Sequence, residues 1–257
     1  MTHNILAVGD VVGEIGIDFL ASHFSALKKQ YNISFAVVNG ENASGIGITP
    51  RQSELLFSAG ADVVTLGNHT FGKREIEDYL DSCPYILRPA NFPSQTPGRG
   101  WGDFEAPFGT VRVISLVGRC GMPFGPDNPF FEADRILKTN PANLVLIDMH
   151  AEATSEKAAM AYYLDGRAAA LWGTHTHVQT SDARVFPQGL GFITDLGMTG
   201  PANSVIGIKP EQSVSMFLGD PPRRHETAQG SCKLEGAVFE VDAAAGRCLS
   251  VETVRII

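Results

Sequence analysis

Five short apolar runs in this chain each end on residues able to bind a metal or move a proton. That repeated ending constrains the fold more than any other feature. Ile5–Val8 leads into Gly9-Asp10, Phe35–Val38 into Gly40-Glu41-Asn42, and Val63–Leu66 into Gly67-Asn68-His69. Leu144–Met149 delivers His150, and Ala168–Trp172 runs into Gly173-Thr174-His175-Thr176-His177. Such runs read as strands buried on both faces. In an open α/β sheet the strand ends converge on one crevice, where ligands bind. Carboxylates, an amide and imidazoles gathered with no thiolate make a hard-to-borderline metal site. There are enough of them for two ions, and a metal-dependent hydrolase is the leading reading.

Between the runs the spacing predicts helices over Ile15–Tyr31, from Thr49 (N-cap) and Pro50 (first position) onward, and over Lys73–Ser82, Phe131–Lys138 and Ser155–Leu164. Further strands are expected at Val111–Val117, Phe192–Thr194 and Leu234–Val241. Strand alternating with helix points to a largely parallel sheet covered on both faces. With no repeat, low-complexity tract or linker, residues 1–257 read as a single domain. The Gly/Pro-rich stretches 91–109 and 118–129 read as long loops, as does the polar 219–231 segment, where Arg223 and Arg224 face either solvent or a phosphate.

A net charge of −8 leaves no electrostatic footprint for duplex nucleic acid or an anionic membrane. Cys83, Cys120, Cys232 and Cys248 have no paired spacing, which fits a reducing compartment. No signal-peptide pattern or membrane-length apolar run is present, so the expected location is cytoplasmic.

Taken singly the motifs are ambiguous. Asp10 after a strand is often a turn or cap residue, and Gly9, Gly13 and Gly16 fit neither nucleotide-binding fingerprint. Glu41 could bridge two cations with the Asn42 amide completing one sphere; a solvated Glu beside a loop-stabilising Asn is an equal alternative. The Asn68 amide oxygen is a reasonable ligand where another charge would overcharge the site. His69, adjacent but projecting differently, suits a general acid, although alone it could equally cap or fill the core. Of seven histidines, His3, His23 and His225 have no motif around them, while His69, His150, His175 and His177 lie at strand ends. That convergence makes a purely structural account of the histidines improbable. Trp101, Phe104, Phe108, Phe124 and Phe130, in or beside the long loops, would stack on a base, cover the core or form an oligomer contact.

Taken together, Gly9-Asp10-Val11-Val12-Gly13, Asn39-Gly40-Glu41-Asn42, Gly45-Ile46-Gly47-Ile48-Thr49, Gly67-Asn68-His69, Thr174-His175-Thr176-His177-Val178-Gln179-Thr180 and Asp195-Leu196-Gly197-Met198-Thr199-Gly200 resemble the calcineurin-like metallophosphoesterases. More narrowly, the chain resembles their YmdB-like bacterial branch, over essentially its whole length. It departs from the broad superfamily at Val12, where most members have a histidine, and at Glu41, where most have an aspartate. The branch is similar in both respects, which places Asn42 as a ligand. The resemblance implies a four-layer α/β/β/α sandwich around a dinuclear iron or manganese centre, with zinc not excluded by the donors. Asp10, Glu41, Asn42 and His177 would hold one metal, and Glu41, Asn68, His150 and His175 the other. It further implies a metal-bridging hydroxide as nucleophile, His69 as general acid, and phosphodiesterase activity on cyclic nucleotides such as 2′,3′-cyclic AMP. The alternatives are a phosphomonoesterase acting on a small phosphoester and a metal-binding regulatory protein with incidental catalysis. Members of the branch are often homo-oligomers, so a second copy is a candidate partner beside the small-molecule phosphodiester.

Overall fold

The structure is a computed structural model that describes residues 2–123, 125–221 and 223–257. Strand β1 (Thr2–Val8) and the short β2 (Asp10–Val11) lead into α1 (Gly13–Gln30), followed by β3 (Ile33–Asn39), α2 (Pro50–Ala59), β4 (Val63–Thr65), α3 (Ile76–Ser82) and β5 (Ile86–Leu87). A hairpin of β6 (Trp101–Ala106) and β7 (Gly109–Val117) comes next, then α4 (Pro129–Leu137), β8 (Leu144–His150), α5 (Thr154–Leu164) and β9 (Ala170–Thr174). The chain ends with β10 (Arg184–Val185), β11 (Gly191–Ile193), β12 (Met198–Pro201), α6 (Pro210–Phe217) and the hairpin β13 (Cys232–Asp242) and β14 (Arg247–Ile256).

Two sheets result. The first runs β2-β12-β13-β1-β3-β4-β5, with β14 flanking β13; the second runs β10-β11-β9-β8-β7-β6. Strict alternation along the strands sends side chains to opposite faces and builds three apolar layers. Ile5, Ala7, Phe35 and Val37 meet Val111, Val113, Leu144 and Leu146 between the sheets. Their neighbours Leu6, Val8, Ala36 and Val38 pack outward against α1 to α3. Ile114, Leu116, Ile147 and Met149 pack outward against α4 and α5. Helices, sheet, sheet, helices is the four-layer α/β/β/α sandwich expected from the sequence.

The segments bearing the motifs are parallel: β1 beside β3 beside β4 in one sheet, and β7 beside β8 beside β9 in the other. Their C-terminal ends therefore emerge together at one edge of the sandwich. Thr49 caps α2 as expected, and its side chain and that of Gln52 form a reciprocal capping box.

The expected loop at 91–109 is corrected. Residues 101–106 form β6, an edge strand paired antiparallel with β7. The aromatic residues of these regions are mostly absorbed by packing. Phe104 is buried between the sheets, Phe108 stacks on His3, Trp101 covers Arg112, and Phe130 meets Tyr163 edge-on. Phe124 lies outside the described residues. No helix among the described residues is long and apolar enough to cross a membrane.

Candidate metal centre

All eight residues singled out from the sequence come together at the edge where the two sheets meet. Asp10 lies in β2, Glu41 and Asn42 follow β3, and Asn68 and His69 follow β4. The second sheet supplies His150 from the last position of β8, and His175 and His177 from just beyond β9. The carboxylates and amides thus come from one sheet, together with His69, and the other three imidazoles from the second. Asp10, Glu41 and His150 are buried essentially completely.

The approach is close enough to dictate glycine. A β-carbon at Gly67 would overlap Glu41 Oε2 and the His150 ring. Strain is present as well, since His175 and His177 adopt left-handed backbones with φ of 99° and 64°. Such conformations are uncommon for residues with a side chain and persist only where surroundings enforce them. Enforcement comes from Asp195, which accepts the Thr176 N–H at 3.1 Å and the Gly197 N–H at 2.9 Å. Lys157, wholly buried on α5, donates at 2.8 Å to both Asp195 Oδ2 and the Thr174 carbonyl.

The hydrogen-bond pattern fixes where the lone pairs point. Thr174 donates its hydroxyl to Asp148 at 2.7 Å, so it accepts from His150 Nδ1 at 2.9 Å. The His150 Nε2 lone pair then faces Glu41 Oε1 at 2.9 Å, Asn68 Oδ1 at 3.0 Å and His175 Nδ1 at 3.0 Å. His175 Nε2 sits 3.2 Å from the Glu152 carboxylate, which leaves its Nδ1 as the inward acceptor. A second cluster repeats the arrangement. His177 donates Nδ1–H to the Ile206 carbonyl at 2.8 Å, and its Nε2 faces Asn42 Oδ1 at 3.3 Å and Asp10 Oδ1 at 3.7 Å. Asn42 is held amide-oxygen inward by its own donation to the Gly45 carbonyl at 3.1 Å. Asp10 Oδ1 is buried and has no hydrogen-bond partner.

Acceptors whose lone pairs face one another need positive charge among them. A proton supplies it in part. Burial opposes charge on both Glu41 and His150, but their mutual contact outweighs it, lowering Glu41 to about 2 and raising His150 to about 9. Burial also lifts Asp10 to about 6, despite the opposing pull of His177 and His150, and lowers His175 to about 3 with help from the charge of His150. One shared proton cannot serve both clusters, and the orphaned Asp10 oxygen lies in the second. The donor set, nitrogen and oxygen without sulfur, suits divalent cations of the iron, manganese and zinc kind. Glu41, His150 and His175 alone place three such donor atoms within 4.8 Å of one another.

Asp148 was not singled out by the sequence. It is fully buried and accepts from Thr65 at 2.5 Å, Asn39 at 3.0 Å and Thr174 at 2.7 Å, tying β3, β4, β8 and β9 beneath the donors. Its signal was a carboxylate inside the otherwise apolar Leu144–Met149 run. Lys157, Asp195 and Glu152 were missed as side-chain roles too. Lys157 falls on the same buried helical face as Met160, Ala161 and Leu164.

Above the donors opens a cleft of about 830 Å3. His69 lines it without acting in either donor cluster, while its backbone N–H is held by Glu41 Oε2 at 3.1 Å. Lys73, Arg223, Arg224 and His225 line it as well, beside Glu152 and Glu226, so residues 223–227 of the segment left open between solvent and phosphate border the cleft.

Residues 6–254 match the model of the family described as YmdB-like protein. The 2′,3′-cyclic-nucleotide 2′-phosphodiesterase of Bacillus subtilis (strain 168) is 43% identical over 257 residues, covering 98% of this chain and 96% of that one. Among solved structures, a hypothetical protein from Thermus thermophilus superposes with a TM-score of 0.92 at 37% identity, over 98% of each chain. A novel phosphatase from Mycoplasma pneumoniae superposes with a TM-score of 0.94 at 32% identity, over all of this chain and 94% of that one.

Proposed function

This chain belongs to the YmdB-like protein family, and we propose that it is a metal-dependent phosphodiesterase that opens cyclic nucleotides, the 2′,3′-cyclic form foremost. The observation that carries this reading is the pair of inward-facing acceptor clusters beside a free imidazole. Asp10, Glu41, Asn42 and His177 would hold one cation and Glu41, Asn68, His150 and His175 the second, with iron or manganese the expected metals and zinc also compatible. Bound there, the cations supply Lewis-acid polarisation of the phosphate, activation of water and neutralisation of developing charge.

The chain's own residues do the rest. His69 stands at the cleft wall, within a structure that holds its backbone but leaves its ring without a hydrogen-bond partner among the described residues. It would protonate the departing ribose oxygen. Asp148 and Thr174 hold the tautomer of His150, and Glu152 does the same for His175. Lys73, Arg223 and Arg224 give an anionic ester a favourable approach in a chain of net charge −8.

The test is hydrolysis of 2′,3′-cyclic AMP by metal-stripped protein, before and after addition of manganese or ferrous iron. Restored turnover supports the reading. Protein that has rebound two metals and leaves the cyclic ester intact refutes it. Phosphate release from adenosine 3′-phosphate without ring opening would replace the diester reading by a phosphomonoesterase.

A further inference from the structure

A second cleft, of about 590 Å3, opens on the other side of His69. Its walls are mostly apolar, from Ile46, Phe71, Phe92, Pro93 and Pro126, with Asn68, His69, Thr96 and Asp127 as the polar lining. Ile46, His69 and Gly72 line both clefts, so the two adjoin at His69.

We propose that this second cleft receives the nucleobase of the substrate, with Phe92 as its stacking surface. The inference rests on the reading of His69 as the proton donor to a ribose oxygen. A donor must touch the leaving oxygen, so the sugar lies on the His69 side of the phosphate. The base projects from the same sugar away from the charged cluster, and the apolar cleft is what it meets there.

The two aromatic walls differ in how far they are already used. Phe71 packs against the core of the first sheet's outer face, whereas Phe92 belongs to none of the apolar layers. The rings are 6.3 Å apart, inclined by 32°. Phe92 is nonetheless held in place. Its neighbour Asn91, buried, donates to the carbonyls of Val117 at 2.7 Å and Asp127 at 2.8 Å, and accepts the Val117 N–H at 2.9 Å. The Asp127 N–H returns to the Asn91 carbonyl at 2.9 Å. Asn91 therefore ties both cleft-forming loops to the end of β7. A mostly apolar slot with a few polar groups is the usual form of a small-molecule site, and aromatic stacking binds bases without regard to their hydrogen-bonding edges.

The experiment compares two five-membered cyclic diesters that differ in the base: 2′,3′-cyclic AMP and glycerol 1,2-cyclic phosphate. In the metal-loaded holoenzyme, Phe92→Ala is expected to lower kcat/KM for the nucleotide by about fivefold or more, through KM. It should leave the base-free ester unchanged, while Phe92→Tyr, which keeps a ring, should behave as the native protein on both. Equal loss on both esters, or no loss on either, overturns the proposal. Should native protein open neither ester, the hydrolytic reading itself has failed, and the cleft is judged by adenosine 3′-phosphate binding. A dissociation constant weakened about fivefold in Phe92→Ala supports the base site, and an unchanged one refutes it.

Discussion

Replacing Lys157 with methionine removes a fully buried ion pair that braces the loop carrying His175 and His177. Both partners are out of solvent, with side-chain exposures of 0% for Lys157 and 1% for Asp195, at 2.8 Å. Methionine keeps most of the apolar stem but removes the ammonium group. Asp195 is then a buried carboxylate with only the Thr176 and Gly197 N–H groups to solvate it, and the Thr174 carbonyl loses its lysine partner. Breaking such a pair by deleting one member costs about 3–5 kcal/mol, most of it from the stranded charge. By contrast, the Arg51–Glu14 pair, with exposures of 73% and 66%, is screened by water, and Arg51→Ala should cost at most ~1 kcal/mol. The assay is urea unfolding with a chelator present, so that metal binding does not add to native-state stability. Lys157→Met and Asp195→Asn should each destabilise strongly, and the double variant should lose well under their sum, because no lone charge remains. A coupling energy of at least ~2 kcal/mol is expected. A Lys157→Met cost below ~1 kcal/mol, or strict additivity in the double variant, would refute the argument.

Four further outcomes follow from the site. His69→Ala should retain its metals by elemental analysis yet lose ~100-fold or more in kcat, whereas loss of metal along with activity would make His69 a ligand instead. Gly67→Ala should fold but take up less than half the native metal content, since its β-carbon displaces Glu41 and His150; full occupancy by elemental analysis would contradict the contact. Metal uptake should displace about one proton per chain near pH 7.5, because His150, raised to about 9, is protonated there while Asp10, raised to about 6, is ionised. Near pH 5.5 Asp10 also gives up a proton, so calorimetry in buffers of different ionisation heat should show release growing as pH falls; release that shrinks would reverse the assignment. Arg223→Ala with Arg224→Ala should raise KM several-fold at low salt and leave kcat unchanged, with the difference fading at high ionic strength; a kcat effect independent of salt would tell against long-range attraction.

Much of this arrangement was legible because apolar runs are short, interrupted and followed by motif residues. Ile5–Val8, Phe35–Val38 and Leu144–Met149 mark strands by composition alone, and Thr49-Pro50 with Gln52 marks a helix start by its capping chemistry. Elements whose stability comes from tertiary pairing were harder to see. In β6, Gly102, Asp103 and Glu105 obscure the pattern, although the pairing with β7 holds the strand in place. Likewise β14 is largely exposed, and α6 is a short segment with Ser213 buried and Val214, Met216 and Phe217 exposed. At the site, the donors announced themselves, but their supports did not. Lys157, Asp148 and Asp195 matter through burial and partners brought in from distant strands, which a linear sequence does not display. The cleft aromatics show the same limit. Trp101 and Phe104 sat in the conspicuous loops and are consumed by packing, while Phe92 went unremarked beside them.

The division of donors between the sheets bears on when the centre comes into being. Asp10, Glu41, Asn42 and Asn68 are made early in the chain, but each belongs to a sheet that holds no imidazole of the cluster. His150, His175 and His177 arrive on the other sheet, with a complete apolar layer to close between them. Neither half can assemble the proposed donor set by itself, so metal capture there would have to wait until the sheets have docked. Ions bound across that seam would join the Asp148 hydrogen bonds in pinning together two layers whose contact is mainly apolar. Their loss would be felt first as slackness between the sheets rather than as melting of either one.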